Sequence, residues 1–256
     1  MTPHGASSFP WSRYPGIATS TKRKKGCGTV SVLVVVAHPD DEVLGFGGAG
    51  ALFVSRGVQV RTCIAVSKAD ARMSRPGTEK LTDDIYAAQA ALGFGEPILG
   101  DFPNIRLNTV PHLELVQFIE SAIREVAADT LVTHHAGDVN DDHRQVSRAC
   151  QAAARLFQRS PGSLRLRSLL TMEVLSSTDW QFPGTAPTFT PTTFVEIGEE
   201  FLDRKIQALS SYEAVMRPYP HPRSPEAIRG LATVRGAQSG RNLAEAFETG
   251  FQVLTP

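Results

Sequence analysis

Two short polar segments of this chain hold most of the residues that could do chemistry. The first, Ala37-His-Pro-Asp-Asp-Glu42, places one His beside three consecutive acids. The second, from His134 to Arg144, contains three His, three Asp and an Asn. Together the two segments can offer a His-Asp-His set to one metal ion, and zinc accepts ligands of this kind. The pattern therefore predicts a metal site built from both segments.

Acids at the start of a helix also have a structural explanation, because a carboxylate stabilises an N-cap or a first turn. Asp40 or Asp41 fits that role, but one carboxylate is enough for it. Three adjacent acids repel one another unless a cation lies among them. Pro39 fixes its own backbone angle and makes the turn rigid. The segment therefore favours a cation site over a simple cap.

A dinucleotide site is a competing interpretation, because Gly45 to Gly50 matches the pattern G-x-G-x-x-G. In that fingerprint the glycines follow a strand directly, so that backbone N–H groups meet the pyrophosphate. Here seven residues intervene after Ala37, and three of them are acids that would repel a pyrophosphate. The small residues are better explained by close packing of a helix on a sheet.

The elements that must position these residues alternate between strand and helix. Apolar, β-branched runs predict strands at 30–37, 58–66, 97–99, 130–133, 169–174 and 193–197, and helices are predicted at 42–56, 79–92, 113–126, 142–158, 199–212, 225–234 and 243–247. This alternation is typical of an α/β fold, a Rossmann-like, mostly parallel sheet with helices on both faces. Ligands of such sheets bind at the carboxyl ends of the strands. Both polar segments follow strands, so we expect the active site at that edge.

The composition excludes several classes of protein. The 26 Lys and Arg balance 26 Asp and Glu, whereas a nucleic-acid partner normally requires a basic excess. The three Cys, at 27, 63 and 150, are too sparse for a disulfide framework. No apolar stretch is long enough for a membrane span. We therefore expect a cytoplasmic protein with neither a nucleic-acid partner nor a membrane span.

The chain is predicted to contain one domain, residues 29–256, preceded by a flexible extension or an over-long start, residues 1–28. The extension is polar and ends near a basic run at 22–25. A signal peptide carries its basic residues before an apolar segment, and here they precede the first strand of the domain.

The motifs VVVAHPDDEVLGFGG (34–48) and DVNDDHRQV (138–146) resemble those of the PIG-L / LmbE-like family of zinc-dependent N-deacetylases. The resemblance runs from about residue 30 to about residue 247 and includes RPYPHPRS at 217–224. It implies that His38, Asp41 and His143 bind one Zn²⁺ per chain, or another divalent metal. It also implies that Asp40 is the general base.

The ligand and base roles that the resemblance implies agree with the chemistry that amide hydrolysis requires. Zinc held by two neutral imidazoles and one carboxylate keeps a net positive charge, activates water and polarises a carbonyl. Asp40 diverges from Asp41 and is placed to accept the water proton. The predicted reaction is removal of an N-acetyl or N-acyl group from a small amino sugar or glycoconjugate such as an N-acetylglucosamine derivative. The alternative is a non-catalytic metal- or nucleotide-binding Rossmann-like module, and homo-oligomer formation is left open.

One position departs from the family pattern. Several members have a second His three residues before the ligand His, and this chain has Asn140 there. Asn can donate a hydrogen bond to an oxyanion but cannot deliver a proton at neutral pH. The acid is then Asp40 itself or a His from elsewhere, and His221 is the candidate. A purely structural role for His221, bonded to backbone in its Pro-rich loop, is the alternative.

Four residues near the expected edge are candidates for binding substrate. Arg72 follows the second strand, and Asp101 and Asn104 follow the third, where sugar hydroxyls would find partners. Arg223 could meet a phosphate or carboxylate of the substrate. Each of the four has an ordinary surface or ion-pair role as its alternative.

Overall fold

The computed structural model describes residues 30–68, 77–160, 162–163 and 165–254. Within these ranges seven strands form one sheet: β1 (Ser31–Val36), β2 (Gln59–Ile64), β3 (Ile98–Leu99), β4 (Thr130–His134), β5 (Ser168–Met172), β6 (Thr193–Glu196) and β7 (Ala244–Gln252). Their order is β3-β2-β1-β4-β5-β7-β6. Strands β1 to β5 pair in parallel, and β7 runs antiparallel to both β5 and β6. The predicted mostly parallel sheet is confirmed.

Helices cover both faces of this sheet. They are α1 (Asp41–Ser55), α2 (Thr78–Leu92), α3 (His112–Val126), α4 (Asp141–Ala153), α5 (Leu156–Arg159), α6 (Gly198–Ser210) and α7 (Pro225–Ser239). Apolar residues of α1, α2, α6 and α7 meet one face, and those of α3 and α4 meet the other. None of the helices within the described ranges is long and apolar enough to cross a bilayer.

Strand β1, which lies between β2 and β4, is buried along its whole length. Its side chains alternate, so that Val34 and Val36 join one core cluster while Leu33 and Val35 join the other. A continuous β-branched run is what a strand covered on both faces requires. The strand therefore holds the residues that follow it rigidly at the edge of the sheet.

The helix predicted at 243–247 is wrong, because this segment is the start of β7. Ala and Glu favour helices when only local propensity counts. Here the segment lies between β5 and β6, and its backbone completes the hydrogen bonding of both. Pairing with distant strands overrides the local preference.

The helix predicted at 142–158 is two helices, because α4 ends at Ala153 and α5 begins at Leu156. The break lets Leu156 turn into the core, where it is buried. The predicted extension, residues 1–28, and the candidate Arg72 lie outside the described residues.

The glycines of the G-x-G-x-x-G segment lie inside α1 and are buried. A Cβ on Gly45 would come within 2.3 Å of Met172 Sδ, and one on Gly50 would come equally close to the ring of Phe94. These glycines let α1 pack closely, and their position within the helix gives them no phosphate-binding loop.

Candidate active site

The two polar segments leave the sheet side by side. Strands β1 and β4 are parallel neighbours, with Val35 opposite Thr133. Each strand is followed by a tight turn and a helix, so that α1 begins at Asp41 and α4 at Asp141. The alternation of strands and helices therefore brings residues about a hundred positions apart to the same edge of the sheet, at the carboxyl ends of β1 and β4.

His38, Asp41 and His143 converge at this edge, and all three are buried. The Oδ2 atom of Asp41 lies 3.4 Å from His38 Nδ1 and 3.1 Å from His143 Nε2. One ligand atom from each residue lies within 4.8 Å of the others. Two imidazoles and one carboxylate are a suitable donor set for zinc that leaves a coordination position open. The residues fit the metal that the family resemblance implies.

The outer nitrogen of each imidazole is held by another carboxylate. Asp142 Oδ2 lies 3.0 Å from His38 Nε2, and Asp138 Oδ2 lies 3.1 Å from His143 Nδ1. These carboxylates are themselves fixed, by the backbone N–H groups of Ile105 and Leu107 and by the hydroxyls of Ser177 and Thr178. Contacts of this kind orient metal-binding His and fix their tautomers. Asp138 and Asp142 belong to the acidic second segment, and the sequence alone indicates no role for either of them.

A second set, His134, Asp138 and His143, also has its ligand atoms close together. His134 Nε2 already accepts a hydrogen bond from the backbone N–H of Ala37 at 2.9 Å. Burial, together with the nearby His143, lowers the pKa of His134 to about 3, so its ring is neutral. Because its Nε2 lone pair is engaged and both oxygens of Asp138 accept hydroxyl hydrogen bonds, this set fits a metal less well.

The charge distribution also suits a cation. Burial disfavours charge on the ligands, yet His143 and His38 hold the pKa of Asp41 well below its usual range. Burial acts to lower the pKa of His143, but Asp41 and Asp138 outweigh burial and raise this pKa to about 10. Asp142 and Asp41 likewise raise the pKa of His38. The surrounding carboxylates thus create a strongly negative environment at the point where the ligands converge.

Asp40 precedes Asp41 in the chain but does not belong to the converging set. Its backbone is left-handed, with φ 96°, and its side chain is buried. Its N–H donates to Glu42 Oε2 at 3.1 Å, and its Oδ2 accepts from Arg223 Nη1 at 2.7 Å. A left-handed non-glycine residue is strained by about 1–3 kcal/mol and persists only when its surroundings hold it there. The bonds to Glu42 and Arg223 are such restraints.

Glu42 belongs to the scaffold of the site. It is fully buried, and its Oε1 accepts from the hydroxyl of Tyr212 at 2.5 Å and from Gln89 Nε2 at 3.1 Å. Burial raises the pKa of Glu42 to about 8. Glu42 therefore ties the turn at Asp40 to α2 and to the end of α6. Sequence reasoning grouped Glu42 with its neighbouring acids and missed this role.

A cavity of about 450 Å³ opens over the three ligands. The predicted site residues that line it with them are Asp40, Asn104, Asn140, His221 and Arg223. Asp101 is not among the residues that line this cavity. It is exposed and forms an ion pair in which its Oδ1 lies 2.5 Å from Lys68 Nζ. The substrate-binding roles of Asn104, Arg223, Asp101 and Arg72 stay predictions.

Asn140, the candidate donor to the oxyanion, and His221, the candidate acid, differ in their contacts. Asn140 caps α4, because its Oδ1 accepts from the N–H of Asp142 at 3.0 Å. This contact leaves its amide nitrogen as the end that can donate to a substrate. His221 Nδ1 accepts from the N–H of Arg223 at 3.1 Å, so Nε2 is the nitrogen left for a substrate. Partial burial and the charges of Arg217 and Arg223 lower the pKa of His221.

The chain resembles proteins of one family. Residues 33–154 match the PIG-L family model, described as GlcNAc-PI de-N-acetylase. The chain is 25% identical over 209 residues to the uncharacterized deacetylase YaiS of Escherichia coli, an alignment that covers 77% of this chain and 96% of that protein. The resemblance to the PIG-L family predicted from the two motifs is therefore confirmed.

Solved structures share the fold. They include the conserved protein TT1542 from Thermus thermophilus, 25% identical, covering 89% of this chain and 98% of that one with a TM-score of 0.72. GalB, the 4-carboxy-2-hydroxymuconate hydratase of Pseudomonas putida, is 20% identical, with 89% and 99% covered and a TM-score of 0.69. The N,N'-diacetylchitobiose deacetylase of Pyrococcus horikoshii is 17% identical, with 86% and 83% covered and a TM-score of 0.67. A hydratase and a deacetylase share this fold, so the reaction must be argued from the site.

Proposed function

We propose that this protein is a zinc-dependent N-deacetylase that removes an acetyl or related acyl group from a small amino sugar or glycoconjugate. The observation that carries the proposal is the convergence of His38, Asp41 and His143 beside Asp40 at the wall of one cavity. The PIG-L match and the deacetylase name of the Escherichia coli relative support the choice of reaction.

The metal would be held by His38 Nδ1, Asp41 Oδ2 and His143 Nε2, the atoms that face one another in the structure. When bound, zinc lowers the pKa of water and polarises an amide carbonyl. Asp138 and Asp142 keep the two imidazoles in the required orientation through their outer nitrogens.

Asp40 is the general base in this proposal. It lines the cavity without belonging to the donor set, and in this role its carboxylate takes a proton from the attacking water. The same carboxylate can then return the proton to the departing amine. His221 is the alternative acid through Nε2, and the amide nitrogen of Asn140 can donate to the oxyanion.

The lining of the cavity supports a small polar substrate. Asn104 is buried there and offers both a donor and an acceptor to sugar hydroxyls. Arg223 reaches the cavity but is already paired with Asp40, so positioning of the base is its principal role. A volume of about 450 Å³ lies in the range of small-molecule sites.

The test measures acetate released from N-acetylglucosamine, N,N'-diacetylchitobiose and N-acetylated amino acids, with zinc quantified on the same protein sample. We expect acetate from at least one sugar and one zinc per chain. Asp40→Asn should retain the zinc and lose activity by about 10²–10⁴-fold, the usual contribution of a general base. Asp203→Asn, an equivalent change at an exposed residue of α6 that pairs with Arg229, is the matched control.

Three results would contradict the proposal. Stoichiometric zinc without acetate release across the panel would favour a non-catalytic metal-binding module or another reaction on this fold. Unchanged zinc content in both His38→Ala and His143→Ala would contradict the ligand assignment. Near-normal turnover of Asp40→Asn would exclude Asp40 as the base.

A further inference from the structure

A second and larger cavity, of about 1050 Å³, lies away from the proposed catalytic site. Helices α3 and α4 pack over β1, β2 and β4. Beside them, β5 and β7 form the floor of an open groove, and the segment at the α4–α5 junction forms one wall. We call this cavity the β5–β7 groove. Nothing in the proposed deacetylation uses it.

The β5–β7 groove concentrates positive charge. Arg155, Arg165 and Arg167 all line it, and in the described part of the chain none of them forms an ion pair with a carboxylate. Among the lining residues that the structure describes, the single acid is Glu248, and its Oε2 lies 3.1 Å from His135 Nε2. The groove therefore presents three guanidinium groups for an anion, and guanidinium binds carboxylate strongly through paired hydrogen bonds.

The floor and rim of the groove are apolar. Leu169 and Leu166 are buried at its base, while Phe157 and Phe251 are 40% and 37% exposed at its rim. The guanidinium of Arg165 lies over the Phe157 ring, 5.6 Å from its centroid. Arg and exposed aromatic residues around an apolar floor are typical of a binding surface.

Thr171 is the second, independent observation. Its side chain lines the groove and is only 8% exposed, yet its Oγ1 has no hydrogen-bond partner among the described residues. A buried hydroxyl without a partner costs free energy, so such an atom calls for an explanation. Leu169 and Thr171 share one face of β5, since alternate residues of a strand point the same way. A ligand lying along β5 would therefore pass this residue, and a rotation about χ1 of Thr171 would turn its covered hydroxyl toward the ligand.

The groove has a polar group at one end and charges at the other. Arg167 and Thr171 are four positions apart in extended chain, which corresponds to about 13 Å along the strand. We propose that the β5–β7 groove binds an elongated organic anion of the fatty-acid type. Its carboxylate pairs with the arginines, its chain lies along Leu169 and Phe251, and a polar group at its far end bonds to Thr171.

The experiment is calorimetric titration of the full chain with laurate and with ω-hydroxylaurate below their micellar concentrations. We expect both to bind, with ω-hydroxylaurate the tighter ligand. The double variant Arg165→Gln/Arg167→Gln should bind each about tenfold more weakly or worse, because charge-assisted hydrogen bonds are lost. Arg204→Gln, on exposed α6, is the matched charge control. Asp40→Asn should bind as the unmodified chain does, which separates this groove from the proposed active site.

Thr171→Val keeps the shape of the side chain and removes only the hydroxyl. It should abolish the preference for ω-hydroxylaurate while leaving laurate affinity unchanged, a result that general destabilisation would not produce. Absence of laurate binding, equal binding to the double variant, or tight binding of neutral lauryl alcohol would each overturn the proposal. So would sedimentation showing a dimer that the arginine changes dissociate, since the groove would then be an interface between two copies.

Discussion

Arg223 and Asp40 form a largely buried ion pair at the cavity wall, with Nη1 2.7 Å from Oδ2. Arg223 Nε also donates to Ser176 Oγ at 3.2 Å, so the guanidinium is held between two segments. The sequence allows Arg223 either a substrate contact or an ion pair within the protein, and the structure shows an ion pair. The pair joins the loop that carries His221 to the turn that carries the proposed base.

We expect Arg223→Met to lower kcat/KM by about 100-fold with zinc content unchanged, because a small displacement of a catalytic group has that effect. Arg223→Lys keeps the charge and should recover part of the loss. Steady-state kinetics with metal analysis of each variant measure this. Equal activity of the Met variant and the unmodified chain would contradict a positioning role.

The carboxylates behind the imidazoles provide a second prediction. Asp142→Asn and Asp138→Asn should each weaken zinc binding by about 10–100-fold, since outer hydrogen bonds orient and polarise the ligands. Competition with a chromophoric chelator measures the Kd. Asp141→Asn is the control, because Asp141 pairs with Arg144 at a more exposed position and contacts neither imidazole. Equal affinities for all three variants would contradict the orienting role.

A buried ion pair stabilises α1. Glu245 accepts from the N–H groups of Gly48 and Ala49, while Lys205 Nζ donates both to Glu245 and to the carbonyl of Leu44. Glu245→Ala should lower the free energy of unfolding by about 3–5 kcal/mol, because Lys205 would be left charged and buried. Urea denaturation measures the change. Glu200→Ala, which breaks an exposed pair with Arg204, should cost below about 1 kcal/mol. Similar losses for the two variants would refute the argument.

Two glycines of α7 offer a matched comparison. A Cβ on Gly230 meets open space, whereas one on Gly236 would lie 2.5 Å from the carbonyl oxygen of Asn242. Gly230→Ala should therefore stabilise the chain by about 0.5–1 kcal/mol through helix propensity. Gly236→Ala should destabilise it, since backbone must move. In urea denaturation, the unfolding midpoint of Gly230→Ala should lie above that of the unmodified chain and the midpoint of Gly236→Ala below it. The reverse order would contradict the packing described at the α7–β7 turn.

The sequence by itself determined the alternation of strand and helix, the polar residues after β1 and β4, and the edge at which they lie. These features are local: a β-branched run predicts a buried strand, and Pro39 and the acids at the start of α1 mark a turn. The resemblance of the two motifs to the PIG-L / LmbE-like family then singled out His38, Asp41, His143 and Asp40, and these four residues line one cavity.

Only the tertiary structure decided which partner each of these side chains has. Nothing in the sequence distinguishes Asp138 and Asp142, which hold the imidazoles, from Asp141, which points to Arg144. The assignment of 244–252 to a strand and the pairing of Arg223 with Asp40 also depend on segments far away along the chain. Which groups form hydrogen bonds and which strands pair depends on the segments that become neighbours in the folded chain. Local propensity carries no information on which segments these are.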